Sequence, residues 1–148
     1  MQNEYNLLRR RDQYDVAETC ALEEIAYLAW SPLAMGVISG KYLDNNFPAK
    51  SRFSKTVMGD QWQRFQTRIA LNANAATHQY VALAKQYQLD PCQMAIAFTL
   101  SQNWLKSSII GATSISQLKT NIAAIKLTLS PEILADIDKI YQAYPVPF

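Results

Sequence analysis

The chain has 148 residues, of which 49% are hydrophobic and 18% charged, and its 14 Lys and Arg exceed its 12 Asp and Glu. This composition excludes a disordered chain, and a formal charge of +2 is too small to predict nucleic acid or an anionic membrane as a partner. The apolar runs are shorter than the roughly 18 residues that a membrane-spanning helix requires. We expect a single domain, because this length supports one hydrophobic core.

The two cysteines, Cys20 and Cys92, lie far apart and in helical contexts, which is the spacing of neither a disulfide framework nor a metal site. Each is expected to be a small buried hydrophobe rather than a reactive thiol. The start Met1-Gln2-Asn3-Glu4 lacks the features of a signal peptide. These features together predict a cytoplasmic protein in a reducing compartment, with no metal site.

The first half of the chain predicts two strands and a helix. A strand over Gln2 to Leu8 precedes a helix from about Gln13 to Glu24, whose apolar residues recur at helical spacing. Residues 25–30 are apolar on both alternating faces, which predicts a strand buried on both sides in a parallel sheet. Pro32 ends that strand, because proline lacks a backbone donor. Residues 44–60 have no periodicity and predict a long irregular excursion.

The second half predicts four helices and a third strand. A helix from about Thr67 to Gln88 is followed by one that Asp90 caps and that runs to about Asn103. A strand over Ser107 to Ile110 then precedes two helices that Ser114 and Ser130 open. Strands separated by helices imply parallel pairing through right-handed crossovers. Three strands cannot close a (β/α)8 barrel, which typically needs about 250 residues, so the pattern is that of part of a larger architecture.

In parallel α/β folds, ligands bind beyond the carboxyl ends of the strands. The segments that follow the three predicted strands are therefore the candidate sites, including Ser31 to Arg52 and Gly111 to Asn121. The segment from Gly111 to Asn121 joins a strand to a Ser/Thr-rich helix start. Such a helix start can bind a phosphate, or the Ser and Thr residues can simply cap the helix.

Individual side chains in these segments allow two interpretations each. Lys41 and Arg52 are either anion clamps or solvated cations, and Trp30 either offers a ring face to a planar heterocycle or packs in the core. The three arginines at 9–11 are expected to form a solvated loop rather than a phosphate site. His78, the single histidine, is expected to be a surface or packing residue of a helix. The sequence has no metal-ligand spacing, nucleophile elbow or Gly-rich dinucleotide fingerprint.

Two separated stretches, Trp30 to Tyr42 with Ser51-Arg52 and Ile110 to Asn121, resemble the C-terminal part of an aldo-keto reductase. They are similar to the branch that includes the Tas-like and potassium-channel β-subunit-like proteins, and the resemblance covers essentially the whole chain. It implies an α/β fold that is the C-terminal portion, about strands 6 to 8, of a (β/α)8 TIM barrel, incomplete as a barrel. Residues 1–148 would then be one truncated domain.

The resemblance also implies NADP(H) as the cofactor, extended across the carboxyl ends of the strands. Gln2 resembles the residue that binds the nicotinamide carboxamide, and Trp30 the aromatic residue that stacks on the nicotinamide ring. The pyrophosphate cradle would comprise Ser31, Pro32, Leu33, Lys41 and Arg52. The adenosine and its 2′-phosphate would be held by Gly111, Thr113, Gln117 and Asn121. Thr120 and Lys50 depart from the family pattern at the adenine end.

The family's catalytic Asp, Tyr, Lys and His lie before the sixth strand and have no counterpart here, so no catalytic residue is predicted. Met1 is accordingly expected to mark a shortened reading frame, an internal start or a split gene. One hypothesis is the cofactor-binding part of an NADPH-dependent oxidoreductase that reduces a small carbonyl substrate when a complementing N-terminal half completes it. The alternative is a non-catalytic remnant that acts as a nucleotide-binding or self-associating module. A lone three-stranded sheet exposes two edges and an apolar face, so a homo-oligomer or swapped assembly is expected in either case.

Overall fold

A computed structural model describes residues 1–63, 73–145 and 147. In these ranges a parallel sheet has the strand order β1-β2-β3, formed by Gln2–Glu4 (β1), Tyr27–Trp30 (β2) and Leu105–Ile109 (β3). Glu4 is paired with Trp30, and Trp30 is paired with Ile109. The carboxyl ends of the strands therefore lie side by side, and the predicted parallel pairing is confirmed.

The described α-helices surround one side of this sheet and are joined by short 3₁₀ turns. The α-helices are Val16–Leu22 (α1), Lys55–Met58 (α2), Asn74–Gln86 (α3), Pro91–Leu100 (α4), Ile115–Ala123 (α5) and Pro131–Ala143 (α6). The 3₁₀ turns are Arg11–Gln13, Ala34–Ser39, Leu43–Asn45, Gly59–Gln61 and Ala124–Lys126.

The predicted helix caps are confirmed. The Asp90 carboxylate accepts hydrogen bonds from the first turn of α4, with Pro91 at its first position. Ser114 and Ser130 each accept from the backbone N–H three residues later, at the starts of α5 and α6. Because these side chains satisfy amides that have no partner within the helix, they fix where each helix begins.

The boundaries of the first elements differ from the prediction. The strand predicted over Gln2 to Leu8 ends at Glu4, because residues 6–9 form a tight turn in which the backbones of Asn6 and Arg9 pair with each other. The apolar residues in this turn are fully buried, so their spacing reflects burial of a turn rather than a strand. Helix α1 begins only at Val16, whose N–H donates to the Asp15 carboxylate, and the positive φ of Glu24 (52°) follows its end.

The later predictions are also only approximate. Strand β3 begins at Leu105, two residues before its predicted start, and α4 ends at Leu100 rather than Asn103. The excursion at 44–60 contains α2 and short 3₁₀ turns rather than purely irregular chain. The helix predicted over Thr67 to Gln88 is present as α3, and its predicted start lies outside the described residues.

The core lies between the helices and one face of the sheet. Tyr27 and Ala29 on this face are fully buried, and the Trp104 ring meets the rings of Tyr5 and Tyr27 edge-on at 4.9 and 4.8 Å between centroids. The opposite face is not covered, since Trp30 on β2 and Ile109 on β3 are both exposed. The expectation that residues 25–30 are buried on both sides is therefore wrong, because the described helices cover one face only.

The environments of the two cysteines bear on the prediction that both are buried, unreactive thiols. The lengths of the helices bear on the prediction that no segment of the chain spans a membrane. Cys20 is buried, as expected, and Cys92 is partly buried. Burial, followed by the nearby Asp90 carboxylate, raises the pKa of the Cys92 thiol to about 11, as befits an unreactive thiol. In the part of the chain that the structure describes, no helix is long and apolar enough to cross a membrane.

Candidate functional site

The loops after β1 and β2 are joined directly at the carboxyl edge of the sheet. The backbone N–H of Tyr5 donates to the Trp30 carbonyl oxygen at 3.3 Å. The side-chain Nδ2 of Asn6 donates to the Ser31 carbonyl oxygen at 3.0 Å. The carbonyl oxygens of Trp30, the last residue of β2, and of Ser31, the first residue after it, therefore both accept hydrogen bonds from the segment that follows β1. The two loops form one unit.

Trp30 is 37% exposed, so the structure favours an available ring face over a core aromatic. It borders a cavity of about 190 Å³ whose other lining residues are Asn3, Glu4, Arg9 and Asp12. Gln2 lies two residues before the end of β1, is exposed, and pairs with Leu28. Because side chains alternate along a strand, Gln2 and Trp30 share the uncovered face of the sheet.

The segment after Trp30 is a compact turn with several left-handed residues. Ser31, Ala34 and Met35 have φ values of 54°, 47° and 56°, and Gly36 has a φ of 95°. Pro32 is buried and Leu33 is half-buried, so this turn is packed against the fold. Non-glycine residues take such values only where the surrounding structure imposes them, often at functional sites.

Lys41 returns to this same turn. Its ammonium group lies 5.0 Å from the centre of the Tyr42 ring. It also lies against Gly36, where a Cβ would be 3.1 Å from Nζ. Gly36 in turn donates its N–H to the Leu33 carbonyl oxygen at 2.9 Å, so Lys41 is close to one of the predicted cradle residues. Among the described residues, no carboxylate forms an ion pair with Lys41.

Arg52 is exposed, and two buried polar atoms near it have no hydrogen-bond partner in the described ranges. They are the Ser51 Oγ and the Tyr42 hydroxyl oxygen. The rings of Tyr42 and Phe53 are 5.1 Å apart, which places Tyr42 beside the 51–53 segment. A buried polar atom without a partner is unfavourable, so these two atoms are what a bound polar ligand or water would satisfy.

The third group lies after β3. Gly111 has open space where a Cβ would be, and the Thr113 N–H and hydroxyl both donate to the Gln117 Oε1 at 3.0 Å. Asn121 is buried, and its Nδ2 donates to the Gly111 carbonyl oxygen at 3.3 Å. The structure therefore places Gly111, Thr113 and Gln117 near the amino-terminal end of α5, where backbone N–H groups and the helix dipole attract anions. Asn121 lies further along the helix and reaches back to Gly111.

The arginine loop contains a residue that sequence reasoning placed wrongly. Arg10 is only 6% exposed. Its Nη2 lies 2.7 Å from the Asp138 Oδ1, and its guanidinium carbon lies 4.8 and 4.5 Å from the ring centres of Phe98 and Tyr141. The loop at 9–11 is therefore not simply solvated, because Arg10 joins it to α4 and α6. The counter-charge, Asp138, is exposed and lies 128 residues away, so the contact leaves no local signal in the sequence.

Two titratable side chains, those of His78 and Tyr27, each form a hydrogen bond with a carboxylate. His78 lies on the surface of α3, as expected, with its Nε2 3.1 Å from the Asp44 carboxylate. The hydroxyl of Tyr27 donates to the Asp12 carboxylate at 2.7 Å, and burial together with this bond raises the pKa of Tyr27. A phenol held in this way is a poor proton donor near neutral pH, so Tyr27 is not suited to acid catalysis.

The sequence profile of the Aldo/keto reductase family matches residues 1–142. The chain belongs to this family. This confirms the resemblance, and a mixed α/β fold with an unclosed sheet is consistent with a partial aldo-keto reductase (β/α)8 barrel. Members of the family generally use NADP(H).

The similar proteins include family members whose names indicate different functions. The chain is 38% identical to the Escherichia coli K12 protein Tas over 147 residues, which is 99% of this chain and 41% of Tas. It is 32% identical to a putative voltage-gated potassium channel subunit β of Schizosaccharomyces pombe, over 98% of this chain and 42% of that protein. It is also 32% identical to the E. coli K12 L-glyceraldehyde 3-phosphate reductase, over 93% of this chain and 40% of that enzyme. The chain thus spans about two-fifths of the length of these aldo-keto reductase relatives.

The aldo-keto reductase cofactor fits the groups that the structure presents. An extended dinucleotide needs a flat aromatic surface, cations and donors for phosphate, and an accessible helix start. Trp30 supplies the first, Lys41 and Arg52 with the unpartnered Ser51 hydroxyl supply the second, and α5 supplies the third. These groups follow β2 and β3 at the carboxyl edge of the sheet, which is where α/β folds bind ligands.

Proposed function

We propose that this chain is the NADP(H)-binding part of an aldo-keto reductase, corresponding to barrel strands six to eight. The observation that carries the proposal is the exposed Trp30 ring at the carboxyl end of the central strand. The Trp30 ring is followed in the chain by a strained turn that approaches Lys41. The open helix start after β3 lies after the neighbouring strand. This arrangement would allow an extended dinucleotide to cross the ends of β2 and β3.

In this proposal Gln2 on β1 and Trp30 at the end of β2 bind the nicotinamide, and residues after β2 bind the pyrophosphate. The Trp30 ring stacks on the nicotinamide, and the Gln2 amide, on the same sheet face, binds its carboxamide. The Ser31–Leu33 turn, Lys41 and Arg52 bind the pyrophosphate, with the charges of the cations offsetting those of the phosphates. The Tyr42 and Ser51 hydroxyls are available as further partners on that side.

The residues after β3 bind the adenosine and its 2′-phosphate in this proposal. Thr113 and Gln117 are exposed beside the first turn of α5, where the Gln117 Nε2 can donate to a phosphate while its Oε1 accepts from Thr113. Thr113 can donate to the phosphate only by exchanging its bonds to Gln117. Asn121 shapes the turn by holding the Gly111 carbonyl, so its contribution includes positioning the Gly111 backbone. A preference for NADPH over NADH is therefore expected to originate at this group.

When bound, NADPH supplies a hydride for the reduction of a carbonyl group. This chain's residues would bind and orient the nicotinamide. The Asp, Tyr, Lys and His that protonate and orient the carbonyl in the family would come from a complementing N-terminal half. Tyr27 is no replacement for that tyrosine, because its hydroxyl is buried and donates to Asp12.

A second candidate function, a self-associating module, is favoured by the apolar surface of α5 and of the 3₁₀ turn after it. Ile115, Leu118, Ile122 and Ile125 are all exposed. Their spacing places Ile115, Leu118 and Ile122 along one stripe of the helix, and the buried Asn121 lies at the edge of this stripe, beside Leu118. We propose that a homo-oligomer or the complementing half covers this stripe together with the open sheet face.

Calorimetric titration of the purified chain with NADPH and NADH tests the proposed cofactor. We expect saturable binding of NADPH, with NADH weaker by on the order of tenfold, because charge-assisted hydrogen bonds to the 2′-phosphate would be lost. The variants Lys41→Ala and Arg52→Ala should weaken NADPH binding, whereas Lys85→Ala, which removes an exposed cation at the end of α3, should not. Equal effects of all three variants, or the absence of saturable heat, would contradict the proposal.

A further inference from the structure

Asn6 lies in the tight turn after β1 and is fully buried. Its backbone N–H donates to the Arg9 carbonyl oxygen at 3.1 Å, and its carbonyl oxygen accepts from the Arg9 N–H at 3.0 Å. Its side-chain Oδ1 accepts from the Leu8 N–H at 3.0 Å. The asparagine is thereby fixed within its own turn, which is a common local arrangement for this residue type.

The side-chain nitrogen of Asn6 reaches outside that turn. Nδ2 donates to the Ser31 carbonyl oxygen at 3.0 Å and lies 3.4 Å from the Glu4 Oε1. The amide thus uses its oxygen and its nitrogen at the same time, on three different partners. An aspartate could not provide the two donations, and a serine could not reach Ser31.

Ser31 is held by this bond in a conformation that it would not adopt freely. Its φ of 54° lies in the left-handed region, which is disfavoured for a serine. Such a residue keeps this conformation only where neighbouring contacts over-determine it. The contacts here are two hydrogen bonds to the Ser31 carbonyl oxygen, from the Asn6 amide at 3.0 Å and from the Ala34 N–H at 2.8 Å, and one from the Tyr5 N–H to the Trp30 carbonyl oxygen. Of the two on Ser31, the Ala34 bond lies within the turn itself, and the Asn6 bond is the one that comes from outside it.

We infer that Asn6 is a positioning residue, which holds Ser31 in the left-handed conformation and so orients the Trp30 ring and the Ser31 turn for the dinucleotide. This inference rests on the proposed cofactor-binding function. Asn6 is itself fully buried and acts through the Ser31 carbonyl rather than by touching the cofactor. Loss of its Nδ2 would lower the fraction of molecules whose turn is ready to bind, and the apparent affinity would fall by that fraction.

The test compares Asn6→Ser with Tyr80→Phe as a matched control. Asn6→Ser keeps an acceptor for the local turn but loses the reach to Ser31. Tyr80→Phe removes a buried hydrogen bond to the same turn, from the Tyr80 hydroxyl to the Leu7 carbonyl oxygen at 3.1 Å, and does not involve Ser31. Asn6→Asp, which keeps the side-chain size and the acceptor for Leu8, is the second variant if Asn6→Ser does not fold.

One readout needs no cofactor. In chains labelled with 5-fluorotryptophan, the Trp30 fluorine resonance is assigned by its loss in Trp30→Phe. We expect this resonance to shift or broaden in Asn6→Ser and to stay unchanged in Tyr80→Phe. An unchanged resonance in Asn6→Ser, or equal changes in both variants, would overturn the inference.

The second readout is the Kd for NADPH. We expect Asn6→Ser to raise it roughly five- to tenfold, as the loss of one buried hydrogen bond predicts, and Tyr80→Phe to leave it within about twofold. In a Ser31→Gly background, where glycine adopts the left-handed conformation without strain, the effect of Asn6→Ser should shrink to less than about twofold. An undiminished effect in that background would overturn the inference. If the parent chain binds no NADPH, the proposed function fails, and the fluorine resonance still decides the role of Asn6.

Discussion

The ammonium group of Lys41 packs closely against Gly36. A Cβ built on Gly36 would lie 3.1 Å from the Lys41 Nζ and 3.2 Å from its Cε. Because Gly36 also closes the turn to Leu33, the packing of this lysine and the shape of the turn depend on each other.

The variant Gly36→Ala should therefore shift the end of the Lys41 side chain by a few tenths of an ångström and, because Gly36 has a φ of 95°, strain the turn itself. We expect its Kd for NADPH to rise about tenfold, as in Lys41→Ala, and its unfolding free energy to fall by about 1–2 kcal/mol from the left-handed backbone. Gly59→Ala is the control, because Gly59 has a φ of 54° but nothing within 4 Å of its Cβ position. It should lose similar stability and bind NADPH normally. A normal Kd in Gly36→Ala would show that NADPH binding does not depend on the packing of Lys41 against this turn.

Replacement of Asp138 tests the buried arginine. Asp138→Asn leaves the Arg10 guanidinium without its counter-charge, and we expect a loss of about 2 kcal/mol, since Asp138 is partly exposed and a fully buried pair would lose about 3–5 kcal/mol. Asp136→Asn on the same helix is the control, because Asp136 pairs with an exposed lysine, Lys139, at 2.8 Å, and an asparagine there can still accept the hydrogen bond that the Tyr87 hydroxyl donates at 2.9 Å. Urea unfolding of both variants gives the comparison. Equal stabilities would mean that the Arg10 contact is not held by charge.

The Cys92 thiol predicts a pH dependence at the alkaline end. Its pKa in the folded chain, about 11, is raised from an ordinary value of 9.0, so folding favours the protonated thiol. The resulting stability is complete below pH 9 and is lost as the pH rises from 9 towards 11. Stability measured across this range should fall less steeply in Cys92→Ala than in the parent chain. Parallel curves for the two proteins would contradict the assignment.

The apolar stripe on α5 predicts association. Ile122→Glu places a charge in the middle of the exposed stripe and should shift sedimentation towards the monomer. Glu18→Gln on α1, an exposed position away from the stripe, is a control that should leave the assembly unchanged. A parent chain that sediments as a stable monomer would exclude self-association through this surface.

Local sequence features predicted the starts of α4, α5 and α6 and the parallel sheet well. Asp90, Ser114 and Ser130 cap helices through their own side chains, so the relevant interactions lie within a few residues of each other. The strand and the glycine that precede α5 could likewise be recognised from residues that are close together in the sequence. The candidate site could be located for this reason, because strand ends in a parallel sheet meet at one edge.

The features that the sequence did not predict depend on distant partners. The end of β1 at Glu4 is set by a turn whose asparagine bonds to a residue 25 positions away, and Arg10 is buried by a helix 128 positions away. The uncovered face of β2 was also mispredicted, because a strand with apolar residues on both faces does not reveal whether both are covered. Tertiary contacts of this kind leave no periodic pattern in the sequence.

The central claim, that Trp30 receives the nicotinamide of NADP(H), is tested most directly by tryptophan fluorescence during titration with NADPH, with NADH as control. The account predicts saturable quenching that prefers NADPH and disappears in Trp30→Ala, while the emission of Trp62 and Trp104 remains. The absence of saturable quenching up to millimolar NADPH, or quenching that persists in Trp30→Ala, would contradict it.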